Sequence, residues 1–144
     1  MTARYATLLV PMLWVGMVAG ISFLEAPLKF RAPGVSTVIG LGIGRLVFRA
    51  LNAVEVVLLA VLVAAVLLAR PGDAAAALLA AVAAVLIGQL AVVRPALSRR
   101  ADRVLAGERL PRSRAHVAYV VLEVAKVVLL VVLSIVLVGA ALGD

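Results

Sequence analysis

Four apolar runs divide the chain, at about residues 5–24, 37–68, 74–93 and 116–142. Each is close to or above the roughly 20 residues that a helix rising 1.5 Å per residue needs to cross a bilayer. The pattern predicts an all-α fold: an antiparallel four-helix transmembrane bundle, one domain over residues 1–144. The first run is followed by Glu25-Ala-Pro-Leu-Lys-Phe-Arg and not by a small-residue cleavage site, so it reads as a retained span. Residues 25–38 read as a connector, because Pro27 and Pro33 oppose an uninterrupted helix. The second run starts near Ser36 or Thr37 and exceeds what a bilayer requires. The part carrying Arg45 and Arg49 is therefore expected at the membrane surface, or the helix is tilted. Arg70-Pro-Gly-Asp reads as a short extracytoplasmic turn, with Asp73 capping the third helix. Arg94-Pro95 ends the third apolar stretch, and residues 96–115 read as a basic, partly helical amphipathic connector. No internal repeat is evident.

Composition agrees with a membrane protein. The 144 residues are 66% hydrophobic with mean hydropathy +1.24, against about 45–50% apolar in a soluble domain. The absence of cysteine excludes disulfides, thiolate metal sites and cysteine nucleophiles. His116 is the single histidine, so one chain supplies neither a bis-histidine haem nor a multi-histidine zinc site. No metal or other cofactor is expected.

The net charge of +7 is distributed unevenly. Lys29 and Arg31 lie in the first connector. Arg99, Arg100, Arg103, Arg109, Arg112 and Arg114 lie in the third, with Arg45, Arg49 and Arg94 at adjoining helix ends. The opposite side has only Arg4 and Arg70. Cytoplasmic loops carry the excess of Lys and Arg, which puts both connectors inside and both termini outside. The same bases are expected to meet anionic lipid head groups, with Val104 and Leu105 dipping into the interface. Nucleic acid is not an expected partner, since no aromatic residues interleave with the bases.

Three ionisable residues interrupt the spans: Glu55, Glu123 and Lys126. A charge at the centre of a membrane helix costs about 2.5–3.5 kcal/mol on insertion scales, and such residues usually face a partner or a cavity. Arg45, Phe48, Arg49, Asn52 and Glu55 recur at three- and four-residue steps and share one helical stripe. His116, Tyr119, Glu123 and Lys126 do the same on the fourth helix. Gln89 sits near the cytoplasmic end of the third helix, and Glu25 and Lys29 follow the first. Four elements thus aim polar groups at one layer.

Two readings of that layer stand. In the structural one, Glu123 and Lys126 pair within a helix or Glu55 bonds Lys126 across helices, and Asn52 and Gln89 are interhelical hydrogen-bond glue. In the functional one, the layer is a polar cavity open to the cytoplasm, holding an ion, a proton or a polar head group. Two carboxylates sharing one Lys is an arrangement in which one can carry an exchangeable proton. The candidate binding residues are Arg45, Arg49, Asn52, Glu55, Gln89, Tyr119, Glu123 and Lys126; no catalytic residue is assigned.

Smaller signals have bland readings. Gly16 and Gly20 form a GxxxG that reads as helix packing, within the chain or in a dimer. Gly42 and Gly44 before Arg45 suggest flexibility at a helix entry, since no phosphate-loop pattern accompanies them. Trp14 reads as packing, and His116 as an interfacial polar residue.

The stretch from Trp14-Val-Gly-Met through Ser22-Phe23, followed by Pro27-Leu-Lys-Phe-Arg-Ala-Pro33, resembles the opening of a group of uncharacterised bacterial four-helix integral membrane proteins. Gly44-Arg45, Phe48, Asn52 and Glu55 resemble that group's second helix, and His116, Tyr119, Glu123 and Lys126 its fourth. More distantly, the layout is similar to the copper-resistance-D-like superfamily. Some members there bind haem or metal through histidines that this chain lacks. The resemblance implies the fold, a bacterial inner membrane and the relevance of the polar positions, and no transferable activity.

The expected function is binding or transport of a small ion, proton or polar ligand at a charged cytoplasm-facing site. The alternative is an accessory subunit of a membrane complex or a homo-oligomer, in which the cluster serves packing. A membrane enzyme acting on a lipid or quinone has the least support, for want of a nucleophile, metal site or cofactor box.

Overall fold

The computed structural model describes residues 1–111 and 113–143. Arg112, one of the bases counted above, lies outside the described residues, as does Asp144. Four helices are long and apolar enough to cross a membrane: α1 (Thr2–Arg31), α2 (Thr37–Ala69), α3 (Asp73–Leu105) and α4 (Arg114–Gly143). No strand occurs among the described residues. α1 packs against α2 and α4, and α3 packs against α4; α2 meets α3 near the turn that joins them and again at the far end, where Arg45 reaches Asp102 and Ser98. The apolar core runs through Trp14 and Val18 of α1, Leu58 and Leu62 of α2, Leu86 of α3, and Leu130 and Leu133 of α4.

Two helices are longer than the apolar pattern suggests. α1 does not stop at Leu24; it runs through Pro27 and ends ahead of Pro33. α3 likewise runs through Arg94-Pro95 and ends at Leu105. The reason is the same in both. A proline in a regular helix lacks its N–H and its ring strikes the carbonyl four residues back. Here a π-helical stretch precedes each one, Ala19–Glu25 before Pro27 and Gln89–Val93 before Pro95. The wider π turn ends a run of backbone pairing, so each proline enters in the first two positions of a fresh α segment, where no intrahelical N–H partner is required. The expected connector of residues 25–38 is therefore helical to Arg31, and the 96–115 connector is helical to Leu105.

Ser36 and Gly72 hold the N-cap positions of α2 and α3. Ser36 caps α2, its Oγ accepting from the Ile39 N–H at 3.2 Å. Asp73 does not cap α3; Gly72 holds that position with φ 116°, which only glycine adopts without strain. Asp73 falls in the first turn instead, where a carboxylate complements the positive end of the helix dipole. Gly40, Gly42 and Gly44 all lie inside α2. A Cβ on Gly40 would overlap the Phe30 ring, and one on Gly44 would come within 2.9 Å of Lys29 Nζ. Gly40 and Gly44 let the end of α1 lie against α2. Gly16 and Gly20 have no such neighbour among the described residues.

Candidate functional site

Each of the four helices sends a polar side chain to one point. Lys126 on α4 and Glu55 on α2 are 0% exposed, and Glu123 on α4 is 1% exposed. The Lys126 ammonium is ion-paired with Glu55 Oε1 and lies 2.5 Å from Glu123 Oε1. Its third partner is Gln89 Oε1 of α3, to which it donates at 2.8 Å. An ammonium has three donors, and all three are used. Gln89 Nε2 is 3.4 Å from Glu123 Oε1. From α1, Trp14 Nε1–H donates to Glu55 Oε1 at 2.9 Å, and the Ser22 hydroxyl donates to Glu123 Oε2 at 3.0 Å.

The π turns deliver two of these groups. Ser22 lies in the first π stretch and Gln89 opens the second. One added residue rotates the facing of all later side chains on its helix by about 100° at 3.6 residues per turn. The π turns thus set which side chains of α1 and α3 meet Glu123 and Lys126. Two carboxylates face one ammonium, so the cluster carries a formal charge of −1 when all three are ionised. Glu55 Oε2 is buried without a hydrogen-bond partner among the described residues.

No protein family, curated protein or solved structure matches the chain. The site is therefore read from its own geometry. Among the described residues no group of three His, Asp or Glu side chains is placed to hold a metal ion.

Above the cluster lies a partly open cavity of about 1000 Å³. Glu123 contributes to both layers, as the carboxylate that lines the cavity and binds Lys126. The eight candidate residues divide accordingly. Glu55, Gln89, Glu123 and Lys126 form the buried cluster, whereas Arg45, Arg49, Asn52 and Tyr119 line the cavity. Arg45 is already engaged, 2.5 Å from Asp102 Oδ1 and 3.3 Å from Ser98 Oγ. The Tyr119 ring meets Phe48 edge-on at 5.7 Å, and its hydroxyl lies near Glu123 outside hydrogen-bond geometry. Asn52 Nδ2 is also buried and unpartnered. Lys29 lies 3.5 Å from Glu25 and 5.6 Å from the centroids of both Phe30 and Phe48, a cation held over two aromatic faces.

The sequence reading missed three contributors. Trp14 does more than pack, because its indole N–H is bound to Glu55. Ser22 had no assigned role, yet Trp14, Val18 and Ser22 recur every four residues and so share a face of α1. A Trp deep in an apolar helix needs an acceptor for its N–H, and that was the available signal. Arg94 was counted only for topology; it lines the cavity close to Tyr119, Arg45 and Arg49.

The two halves of the chain also match in a way the residue types conceal. Arg45, Phe48, Asn52 and Glu55 on α2 each stand 71 positions before His116, Tyr119, Glu123 and Lys126 on α4. Two of these matched pairs touch: Phe48 with Tyr119, and Glu55 with Lys126. α1 and α3 share the order π turn then proline, with Pro27 and Pro95 separated by 68 positions. The cluster sits where the α1–α2 and α3–α4 hairpins meet.

Proposed function

We propose that the chain is a multi-pass protein of a bacterial inner membrane, an antiparallel bundle with both termini outside, and that its cavity is a cytoplasm-facing binding site for an anionic polar ligand. One observation carries this reading: five cationic side chains (Lys29, Arg45, Arg49, Arg94 and Arg100) line the cavity against a single carboxylate, Glu123. Glu25 and Asp102 offset Lys29 and Arg45. Arg49 and Arg94 have no acidic partner among the described residues. A fully glued structural interface would leave neither those two cations nor the Asn52 and Tyr119 donors without acceptors.

The buried cluster is the floor of this site. It fixes α1, α2, α3 and α4 relative to one another and, through Glu123, ties the cavity wall to the bundle core. Beyond it the interior is the packed apolar core, so the site is reached from the basic side. In many transporters the substrate site lies beside interrupted helices. Coupling to transport is the extended form of the proposal, with the odd carboxylate of the cluster as the carrier of a proton.

The test is purification from its native membrane in mild detergent, followed by identification of what is retained. The expected result is an anionic small molecule bound at one per chain and lost from an Arg49→Ala/Arg94→Ala variant. Retention of a stoichiometric protein partner with an unoccupied cavity would instead support the accessory-subunit reading. One observation favours that second reading: Gly16 and Gly20 leave an open strip on α1 with room for another helix.

A further inference from the structure

We infer that the ligand is a long-chain amphipathic anion, a phosphate or carboxylate head on an apolar tail, drawn from the membrane. This rests on the anion-binding reading above and names the class of molecule. Three independent features point to it.

The first is size. At about 1000 Å³ the cavity is at the upper end of the roughly 300–1,000 Å³ typical of sites for drug-sized ligands. An inorganic ion would leave almost all of it to water.

The second is the uneven lining. Phe23, Phe30, Leu41, Leu90, Leu97 and Val104 give it an apolar body. Arg49, Arg94, Asn52 and Tyr119 line the same space. Arg94 is close to Tyr119 and to Arg49, and Arg49, Asn52 and Glu55 share one stripe of α2. The cations and donors suit a head group, and the apolar residues suit a chain.

The third is the set of unpartnered donors. Asn52 and Tyr119 are 7% and 6% exposed, line the cavity, and have Nδ2 and Oη without partners. A buried donor without an acceptor costs about 1–3 kcal/mol. A phosphate or carboxylate head in the cavity would supply acceptors for Asn52 and Tyr119 and an opposite charge for Arg49 and Arg94.

The experiment uses the full chain purified in mild detergent and three probes: hexadecyl phosphate, hexadecanol and inorganic phosphate. Native mass spectrometry reads the bound fraction. Hexadecyl phosphate is expected to bind at one per chain, hexadecanol at least about tenfold more weakly, and inorganic phosphate not to compete at equal concentration. Arg49→Ala/Arg94→Ala is expected to weaken binding by about tenfold or more, the scale of one charge-assisted hydrogen bond. Arg31→Ala/Arg99→Ala removes the same charge outside the cavity and is expected to leave binding unchanged.

Inorganic phosphate competing as well as hexadecyl phosphate would overturn the long-chain inference and leave the anion site standing. Equal binding of hexadecanol, or hexadecyl phosphate binding insensitive to Arg49→Ala/Arg94→Ala, would overturn it as partition into the detergent belt. Binding of neither phosphate would overturn the anion-binding reading as well.

Discussion

Removing Lys126 should damage this protein far more than removing either carboxylate it binds. The cluster holds two carboxylates and one ammonium, a formal −1, at 0–1% exposure. Lys126→Met takes that to −2 and withdraws three donors at once, from Glu55, Glu123 and Gln89. Glu55→Gln takes it to zero, and its amide oxygen can still accept from Trp14 Nε1. Two like charges about 4 Å apart at an effective dielectric of about 20 interact by about 4 kcal/mol. Deleting one partner of a buried ion pair costs about 3–5 kcal/mol by experience. Lys126→Met is therefore expected to destabilise the fold by about 3–5 kcal/mol. Glu55→Gln should cost about 1.5 kcal/mol or less, the loss of one hydrogen bond. The neutral triple replacement Glu55→Gln/Glu123→Gln/Lys126→Met should recover most of the Lys126→Met loss, because no unpaired charge remains. Reversible unfolding in mixed micelles, followed by far-ultraviolet circular dichroism, reads all three. Equal costs for Lys126→Met and Glu55→Gln, or a triple variant no better than Lys126→Met, would refute the argument from uncompensated charge.

Other outcomes rest on single contacts. Trp14 is the only tryptophan and is fully buried, so its emission should be blue-shifted and resist acrylamide quenching. Trp14→Phe keeps most of the volume but removes the donor to Glu55, at a cost of about 1–3 kcal/mol in the same unfolding assay. Gly40→Leu should be destabilising because its Cβ overlaps the Phe30 ring, and adding Phe30→Ala should relieve it. The resulting double-mutant cycle should be non-additive by at least about 0.5 kcal/mol, and additivity would separate the two residues. In intact cells, a membrane-impermeant maleimide should label Asp73→Cys and spare Arg109→Cys, the reverse pattern contradicting the proposed orientation.

The sequence by itself determined the four helices and the short list of residues that matter. Hydropathy sums local composition, and a run of about 20 apolar residues has one stable form in lipid, where backbone groups must bond within the segment. Glu55, Glu123 and Lys126 stood out for the same reason, since a charge in such a run is expensive wherever it points. The spacing on α2 and α4 was enough to put their polar groups on a stripe each.

Only the tertiary structure decided which groups meet. Whether Lys126 serves Glu55, Glu123 or both depends on the rotation and offset of α2 and α4, and a 3.6-residue period fixes neither. The prolines misled as to where α1 and α3 end, because a π turn ahead of Pro27 and Pro95 removes the clash that a regular helix would suffer. Those same turns rotate Ser22 and Gln89 onto Glu123 and Lys126, a displacement of about one residue that leaves hydropathy unchanged. The cavity belongs to this second category too. Its wall draws on all four helices, and its cations are scattered from Lys29 to Arg100 in the chain, so nothing short of their packing brings them around one space.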